Sequence, residues 1–345
     1  MTFSNIGIRA TNYRVPKGYV SVKELAESNK EYVRRIREET LQIPKLRTVT
    51  LDEVEGVHRF TDEEPGRLVL AAAREVIEKE GIQGRDISLL LDFSTCSRDK
   101  KGVSLSYRIQ HELGAENAMT IALGNGSCSS LQFAFKVADA LMKTHQNMKY
   151  ALLLAEDRVN GYRYHPPAHV LGDGASVVLL EKDCAKSSLA DTAVFSIGRF
   201  CDIMGIEHGN IDNYDIGDFE NRVVPIHYKV INDLVAQVLK NCGLRLNQID
   251  LILYQNMCRN DYHGLIHALG VDAERIFHEG LRGHGHIMAS DLVVNYHLAE
   301  AQGRLAPVSD MLLISSGAGF SWGATVVHML KQSGSGCSAQ SDKGE

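Results

Sequence analysis

The chain of 345 residues is notable first for what it lacks. No apolar run approaches the ~18 residues that a membrane-spanning helix requires. The start, MTFSNIGIRATNYR, has no basic segment followed by an apolar stretch, so it does not read as a secretory signal, and the expected compartment is the cytoplasm. The seven cysteines are scattered, odd in number and without a C-x-x-C pair. That argues against a disulfide framework and against a zinc module. Positive charge is not in excess: Lys+Arg 37 against Asp+Glu 43 leaves a net charge of −6, which argues against non-specific nucleic-acid binding. The glycine-rich stretches lack the G-x-x-x-x-G-K-[ST] pattern, so no phosphate loop is expected.

What is present is the mix of a soluble globular protein, 44% apolar and 23% charged, long enough for two domains or one large α/β unit. Arg67 to Glu80 carries apolar residues at helical spacing and is ended by Gly81. Ile87 to Leu91, Lys149 to Ala155 and Ala175 to Glu181 are short apolar runs of the kind that form strands buried on both faces. Strands interleaved with helices predict a layered α/β protein. From Gln332 the chain turns small and polar, and 332–345 is expected to be a disordered tail.

The chain also repeats itself. A helix leads to ISLLLDFSTC, a helix ending HELG, the turn GNGSCSS, a further helix and the strand YALLLAED. Later, Val230 to Cys242 leads to LILYQNMC, a helix ending HALG, RGHGHIMAS, a helix and MLLISSGAG. His111 pairs with His267 and Leu113-Gly114 with Leu269-Gly270, both at an offset of 156; the same offset carries Gly124 to Gly280 and Cys128 to His284. Two halves are therefore expected, 1–182 carrying Cys128 and 183–331 carrying His286, packed so that equivalent loops face each other.

Of the cysteines, Cys128 has the most suggestive setting. It follows Gly124-Asn125-Gly126-Ser127 and opens the amphipathic stretch Ser129 to Lys143. A thiol at a helix N-terminus meets unpaired N–H groups and the positive end of the dipole, which favours the thiolate. The glycines let backbone approach a substrate and aim an N–H at a developing oxyanion. Inert packing is the alternative for a cysteine considered alone.

Three segments then resemble one family. GNGSCSSLQFAFKVADALMKTHQNMKYALLLAEDRV is similar to the nucleophile segment of β-ketoacyl-ACP synthase III enzymes of the thiolase superfamily. LGDGASVVLLEK resembles the segment closing their first half, and SSGAGFSWGATVVHML their glycine-rich C-terminal segment. The resemblance runs over roughly residues 1–330. It implies the five-layered αβαβα thiolase fold, a homodimer, no cofactor, and an acyl group carried on Cys128 from acyl-CoA or an acyl carrier protein. It further implies that Gly317-Ala318-Gly319 brings a second backbone donor to the oxyanion hole beside Cys128, with Gly319 as the candidate.

The departures bear on mechanism. Where the family carries Pro-His-Gln-Ala-Asn, this chain reads Leu253-Tyr254-Gln255-Asn256-Met257; where the family carries His-Gly-Asn, it reads His284-Gly285-His286. His286 is thus expected as acid/base, with Gln255 or Asn256 as the second polar group. One histidine near the cysteine suffices as general base for transfer to a hydroxyl or amine, so carbon and heteroatom acceptors both stay open. A non-catalytic subunit is the rival, against which the retained Cys128 speaks. His284 matches a non-catalytic family histidine and is a candidate for substrate binding. His165 and His169 flank Pro166-Pro167 on a candidate substrate loop, and Tyr254, within the altered stretch, is a further substrate-binding candidate. By the resemblance, the basic cluster with Arg35, and Tyr32 near it, would touch the coenzyme A nucleotide. His263 and His267 are spaced i, i+4 but lack further ligands, so no metal site is expected. Asp173 is expected to fix its GDGA turn.

Overall fold

The computed structural model describes residues 5–28, 30–41, 54–61, 64–96, 103–159, 163–165, 169–204 and 216–330. The tail from 332 and the basic residues Lys45 and Arg47 lie outside the described residues. The first pass of the chain opens with β1 (Ile6–Arg14). The hairpin pair β2 (Gly18–Ser21) and β3 (Gly56–Arg59) brackets α1 (Val22–Ser28) and α2 (Lys30–Leu41). The path continues through α3 (Arg67–Lys79), β4 (Ile87–Asp92), α4 (Leu105–Leu113), β5 (Met119–Ala122), α5 (Ser130–Thr144) and β6 (Tyr150–Asp157). A small hairpin of β7 (Tyr164–His165) and β8 (His169–Val170) precedes β9 (Gly174–Lys182). The second pass is β10 (Ser187–Ser196), α6 (Ile216–Asp218), α7 (Val224–Cys242), β11 (Leu251–Tyr254), α8 (Arg259–Leu269) and β12 (Ile276–Phe277). It closes with α9 (Gly280–His284), α10 (Asp291–Ala301), β13 (Asp310–Gly317) and β14 (Ser321–Met329).

Two five-stranded sheets result, ordered β1-β9-β6-β4-β5 and β10-β14-β13-β11-β12. In each, the first two pairings are antiparallel and the last two parallel. Even the irregularities match: β1 is bulged between Ile8 and Ala10, β10 between Leu189 and Asp191. The apolar runs explain the centre of each sheet, since every residue of β6 is buried. Glycine ends the repeated helices in both halves: Gly114 (φ 63°) caps α4 and Gly270 (φ 65°) caps α8, a left-handed conformation that satisfies the last carbonyls.

The layers follow from three hydrophobic cores. Leu131, Phe135 and Met142 of α5 and Leu292, Val293 and Tyr296 of α10 pack between the sheets, against Leu91 and Leu153 on one side and Leu253 and Leu313 on the other. Helices α3 and α4 cover the outer face of the first sheet, and α7 and α8 that of the second. This is the five-layered αβαβα thiolase fold. Because α5 and α10 are covered by a sheet on each side, they bury more than one stripe. The leading serine of each central helix reaches across to the other half: Ser129 Oγ lies 2.7 Å from Ser321 Oγ, and Ser176 Oγ donates to Ser290 Oγ at 2.8 Å.

The repeat requires one correction. The capping glycines keep the offset of 156 (270 − 114), but α5 begins at Ser130 and α10 at Asp291, an offset of 161. The counterpart of Cys128 is therefore Ala289, not His284. The loop leading into α10 is longer by 161 − 156 = 5 residues, and His286 stands in that longer loop. Helix α7 also starts at Val224 rather than Val230, with Pro225 in its first turn, where the missing N–H removes no helical bond.

Candidate active site

Cys128 lies in the tight turn Gly124–Ser129 that enters α5. Ser127, just before it, has φ 49°, a left-handed conformation that a non-glycine residue keeps only when its surroundings impose it. Those surroundings are visible: the hydroxyls of Ser129 and Ser321 both donate to the carbonyl of Gly126 at 2.8 Å. Gly317, at the end of β13, presses on the same turn. A Cβ added there would lie 2.4 Å from the Gly126 carbonyl oxygen and 2.7 Å from the Cys128 nitrogen. The backbone of 317 thus comes against the Cys128 amide, beside Gly319.

The sulfur faces a histidine. Cys128 Sγ and His286 Nε2 are 3.2 Å apart, and the other ring nitrogen, Nδ1, donates to Asp291 Oδ2 at 2.5 Å. Asp291 is the first residue of α10 and is almost fully buried. Its Oδ2 also accepts from the Asn256 amide and its Oδ1 from the Ile287 amide, each at 2.7 Å. A buried carboxylate with three donors is held rigidly and sets the tautomer and direction of the imidazole. The backbone on either side of the ring is pinned as well, with His286 N donating to Val170 O at 2.8 Å and Gly172 N to His286 O at 3.0 Å. Burial opposes a charge on His286, but the charges of Asp291 and of the Cys128 sulfur, with hydrogen bonds to both, override it and raise the imidazole well above its ordinary range. Around the sulfur, Cys96, Val159, Leu171 and Met288 form an apolar wall.

The candidates read from the sequence divide sharply. Cys128 and His286 meet. Gln255 and Asn256 do not reach the sulfur: the Gln255 amide donates to Ser316 Oγ at 2.9 Å and accepts from Ser316 N at 2.8 Å, so both its ends are tied to β13. Asn256 Oδ1 accepts from Asn295 at 2.9 Å, and what Asn256 gives the site is its backbone N–H on Asp291. Their expected place as second polar group at the sulfur is corrected to support of the site from behind. Tyr254 is likewise buried in the outer core, its hydroxyl donating to Asp261 at 2.7 Å, which removes it from the substrate. His284 packs on Tyr13, whose hydroxyl is 3.3 Å from its Nε2, and burial, with His58 nearby, pushes it down to about 4. Arg35 is exposed on α2; the side chains of Tyr32 and His165 lie outside the described residues. Asp173 does more than fix its own turn, accepting from Phe60 N, Val159 N and the Arg163 guanidinium. Among the described residues no His, Cys, Asp or Glu group is arranged to hold a metal ion, and no helix is long and apolar enough to cross a membrane. His263 and His267 are exposed.

Sequence reading missed Asp291. Its signal was slight: an acid opening the apolar run DLVV, which reads equally well as a helix-dipole complement.

Residues 239–329 match the family model of the 3-oxoacyl-[acyl-carrier-protein] synthase III C terminal. A β-ketoacyl-[acyl-carrier-protein] synthase III from Sphingopyxis alaskensis is 25% identical over 276 residues, 78% of this chain and 85% of its own. Among solved structures, the acyltransferase ChlB3 superposes with a TM-score of 0.79 at 22% identity, over 95% of this chain and 98% of that one. The 3-oxoacyl-[acyl-carrier-protein] synthase III of Aquifex aeolicus gives 0.76 at 18% identity, over 94% and 99%. The chain is thus similar in sequence to ketoacyl synthases III and shares their fold. In this chain the imidazole stands on the His284-Gly285-His286 loop, with a carboxylate behind it.

Proposed function

We propose that the protein is an acyltransferase that takes an acyl group from acyl-CoA or an acyl carrier protein onto Cys128 and passes it to a heteroatom acceptor. Its family supports acyl transfer or condensation in general. The observation that carries the finer reading is the line Cys128 Sγ, His286, Asp291, with contacts of 3.2 and 2.5 Å. A thiol, an imidazole and a buried carboxylate in series make a nucleophile and its base.

The protons balance around a cycle. The cycle starts from the pair in which the Cys128 proton has passed to His286, a protonated ring that the Asp291 carboxylate favours. The thiolate attacks the donor thioester and the new carbon–sulfur bond forms. The old one breaks, and the departing thiolate takes the proton from His286. Acylation also removes the negative sulfur that helped to hold that proton, leaving a neutral imidazole when a base is needed. The acceptor gives its proton to Nε2 and attacks the carbonyl, and the thiolate leaves to restore the pair. The Cys128 amide supports the reading of an oxyanion hole at this turn, with a second backbone donor from the Gly317 to Gly319 loop. No step needs a cofactor.

The relative from Sphingopyxis, named as a synthase, favours a second reading, decarboxylative condensation with a malonyl thioester. The enolate of that reaction needs hydrogen-bond donors, and Gln255, tied at both ends to Ser316, is poorly placed to be one. A scaffold subunit would have no use for the whole thiol, imidazole and carboxylate series. A homodimer is proposed through β5, the edge strand of the first sheet, whose Met119 is exposed. Intact mass measurement after incubation with a panel of acyl thioesters should show one added acyl group on Cys128, discharged by an alcohol or amine. Rapid carbon dioxide release from labelled malonyl thioester, dependent on Cys128, would return the protein to the condensing enzymes.

A further inference from the structure

A second imidazole stands beside His286. His169, in β8, is 4% exposed, and its ring centroid lies 5.8 Å from that of His286 with the planes at 66°. Alternation along this extended run decides its direction. Val170 packs outward with Val20, Val57 and Leu281, whereas Leu171 packs with Cys96, Val159 and Met288 against Cys128. His169 points to the side that Leu171 occupies. The run is also joined by backbone to the His286 loop, through His286 N to Val170 O and Gly172 N to His286 O, so the two rings hold a set relation. The apolar wall suits an acyl chain, and the two rings form its polar edge.

We infer that His169 is a binding residue for the acyl acceptor, donating a hydrogen bond to the oxygen of an incoming alcohol while His286 takes its proton. The inference rests on the acyl-transfer reading above. During discharge the acceptor atom must sit within about 3 Å of His286 Nε2 and of the thioester carbonyl carbon. A ring centred 5.8 Å from that of His286 can reach an atom placed there from the side of Leu171, which packs with Cys128. A hydroxyl suits two imidazoles: its O–H bond breaks toward His286 and one lone pair forms the bond to carbon. The second lone pair accepts from His169. The carbon–sulfur bond then breaks with its electron pair on Cys128, and His169 neither gains nor loses a proton. A carbon acceptor has no lone pair for this second contact.

The test separates the two half-reactions. Full-length protein is loaded with butanoyl and octanoyl N-acetylcysteamine thioesters and discharged with 2-phenylethanol, cyclohexanol or methyl glucoside, both steps being followed by intact mass. In His169→Phe the ratio of discharge to loading should fall about tenfold, the worth of one hydrogen bond, with KM for the alcohol raised. His169→Gln, which keeps an N–H donor, should recover part of the loss, a result that a merely structural role does not give. An unchanged ratio in His169→Phe, or loading that falls in step with discharge in both variants, overturns the inference alone. Wild-type acyl-enzyme that discharges to none of these alcohols, while malonyl thioester releases carbon dioxide, overturns the acyl-transfer reading and takes this inference with it.

Discussion

The two halves carry the same turn and use it for different ends. In the first, Ser127 at φ 49° precedes Cys128 and α5; in the second, Met288 at φ 44° precedes Ala289 and α10, at the same offset of 161. One turn presents the Cys128 thiol. The other presents a methyl group buried in the central core, and its chemistry has moved to the longer loop before it and to the first residue of the helix after it. Symmetry thus gave the two turns, and an asymmetry of five residues set the imidazole against the thiol. The strand ends differ in the same sense: Glu156-Asp157 closes β6, while β13 ends in Ser316-Gly317, small enough for backbone to press against the Cys128 turn.

The sharpest way to break this comparison is to exchange the turns. Cys128→Ala should abolish acyl-enzyme formation, a loss of ~10⁴ or more in rate, measured by intact mass with the fold checked by circular dichroism. Adding Ala289→Cys to that variant should restore nothing, because Ala289 faces the core between the sheets. Acylation of the introduced thiol in the double variant would show the two turns to be chemically interchangeable and would remove the argument for the longer loop.

Asp291→Asn comes next. The amide keeps the shape but loses the charge that raises His286, and it can offer its NH₂ where the ring needs an acceptor. Turnover should fall by about 10²-fold or more, and the imidazole titration followed by NMR should move down in pH. The raised value also sets the sign for stability. A histidine whose folded value lies above its unfolded one stabilises fully below about 6.5, and that contribution is lost as the pH rises through the folded value. Wild type should therefore lose more stability than Asp291→Asn on going to alkaline pH in urea melts.

Much of the fold was legible because burial on both faces writes itself as apolar runs, as in YALLLAED, and helix ends write themselves as glycine. Cys128 was legible from its glycine-rich turn at a helix start together with the resemblance, and His286 from the repeat and the resemblance. What was hidden lies in relations across the chain. The extra five residues before α10 carry no periodicity, so the pairing of Cys128 with His284 followed the offset of the neighbouring helix. Gln255 reads as a free amide until Ser316, 61 residues away, is brought beside it. Asp291 reads as a helix-start acid until the loop folds His286 back onto it.

Gly317→Ala sharpens the contrast between the strand ends. The added methyl meets backbone, the Gly126 carbonyl and the Cys128 nitrogen, rather than a side chain that can turn away. A cost of about 1–3 kcal/mol in stability is expected from overpacking, with acylation slowed because the Cys128 amide is displaced. Gly270→Ala in α8's cap, where a Cβ meets nothing within 4 Å but φ is 65°, should cost stability through backbone strain and leave acylation unchanged; slowed acylation there too would mean that lost stability rather than contact with Cys128 is responsible.

An effect on stability alone is expected of Asp157, at the other strand end. Its Oδ1 accepts from the amides of Thr95 and Cys96 at 2.7 and 2.6 Å, while Oδ2 has no partner among the described residues. Burial pushes the carboxyl up to about 7 against the pull of those amides, with Asp92 adding to the push and His286 opposing it. Its folded value lies above the ordinary one, so between about pH 4 and 7 the native protein holds a proton that the unfolded chain has released. Stability must then decline across that window on account of this group, the reverse of a salt-bridged aspartate. Asp157→Asn cannot ionise. Relative to wild type it should gain stability as the pH is raised from 4 to 8, by an amount bounded at ~4 kcal/mol by the shift itself. Urea denaturation of both proteins at pH 4, 6 and 8 measures the gap. A gap that stays constant would show that Asp157 is ionised throughout, and that the charge left at the end of β6 is tolerated by the fold rather than suppressed by it.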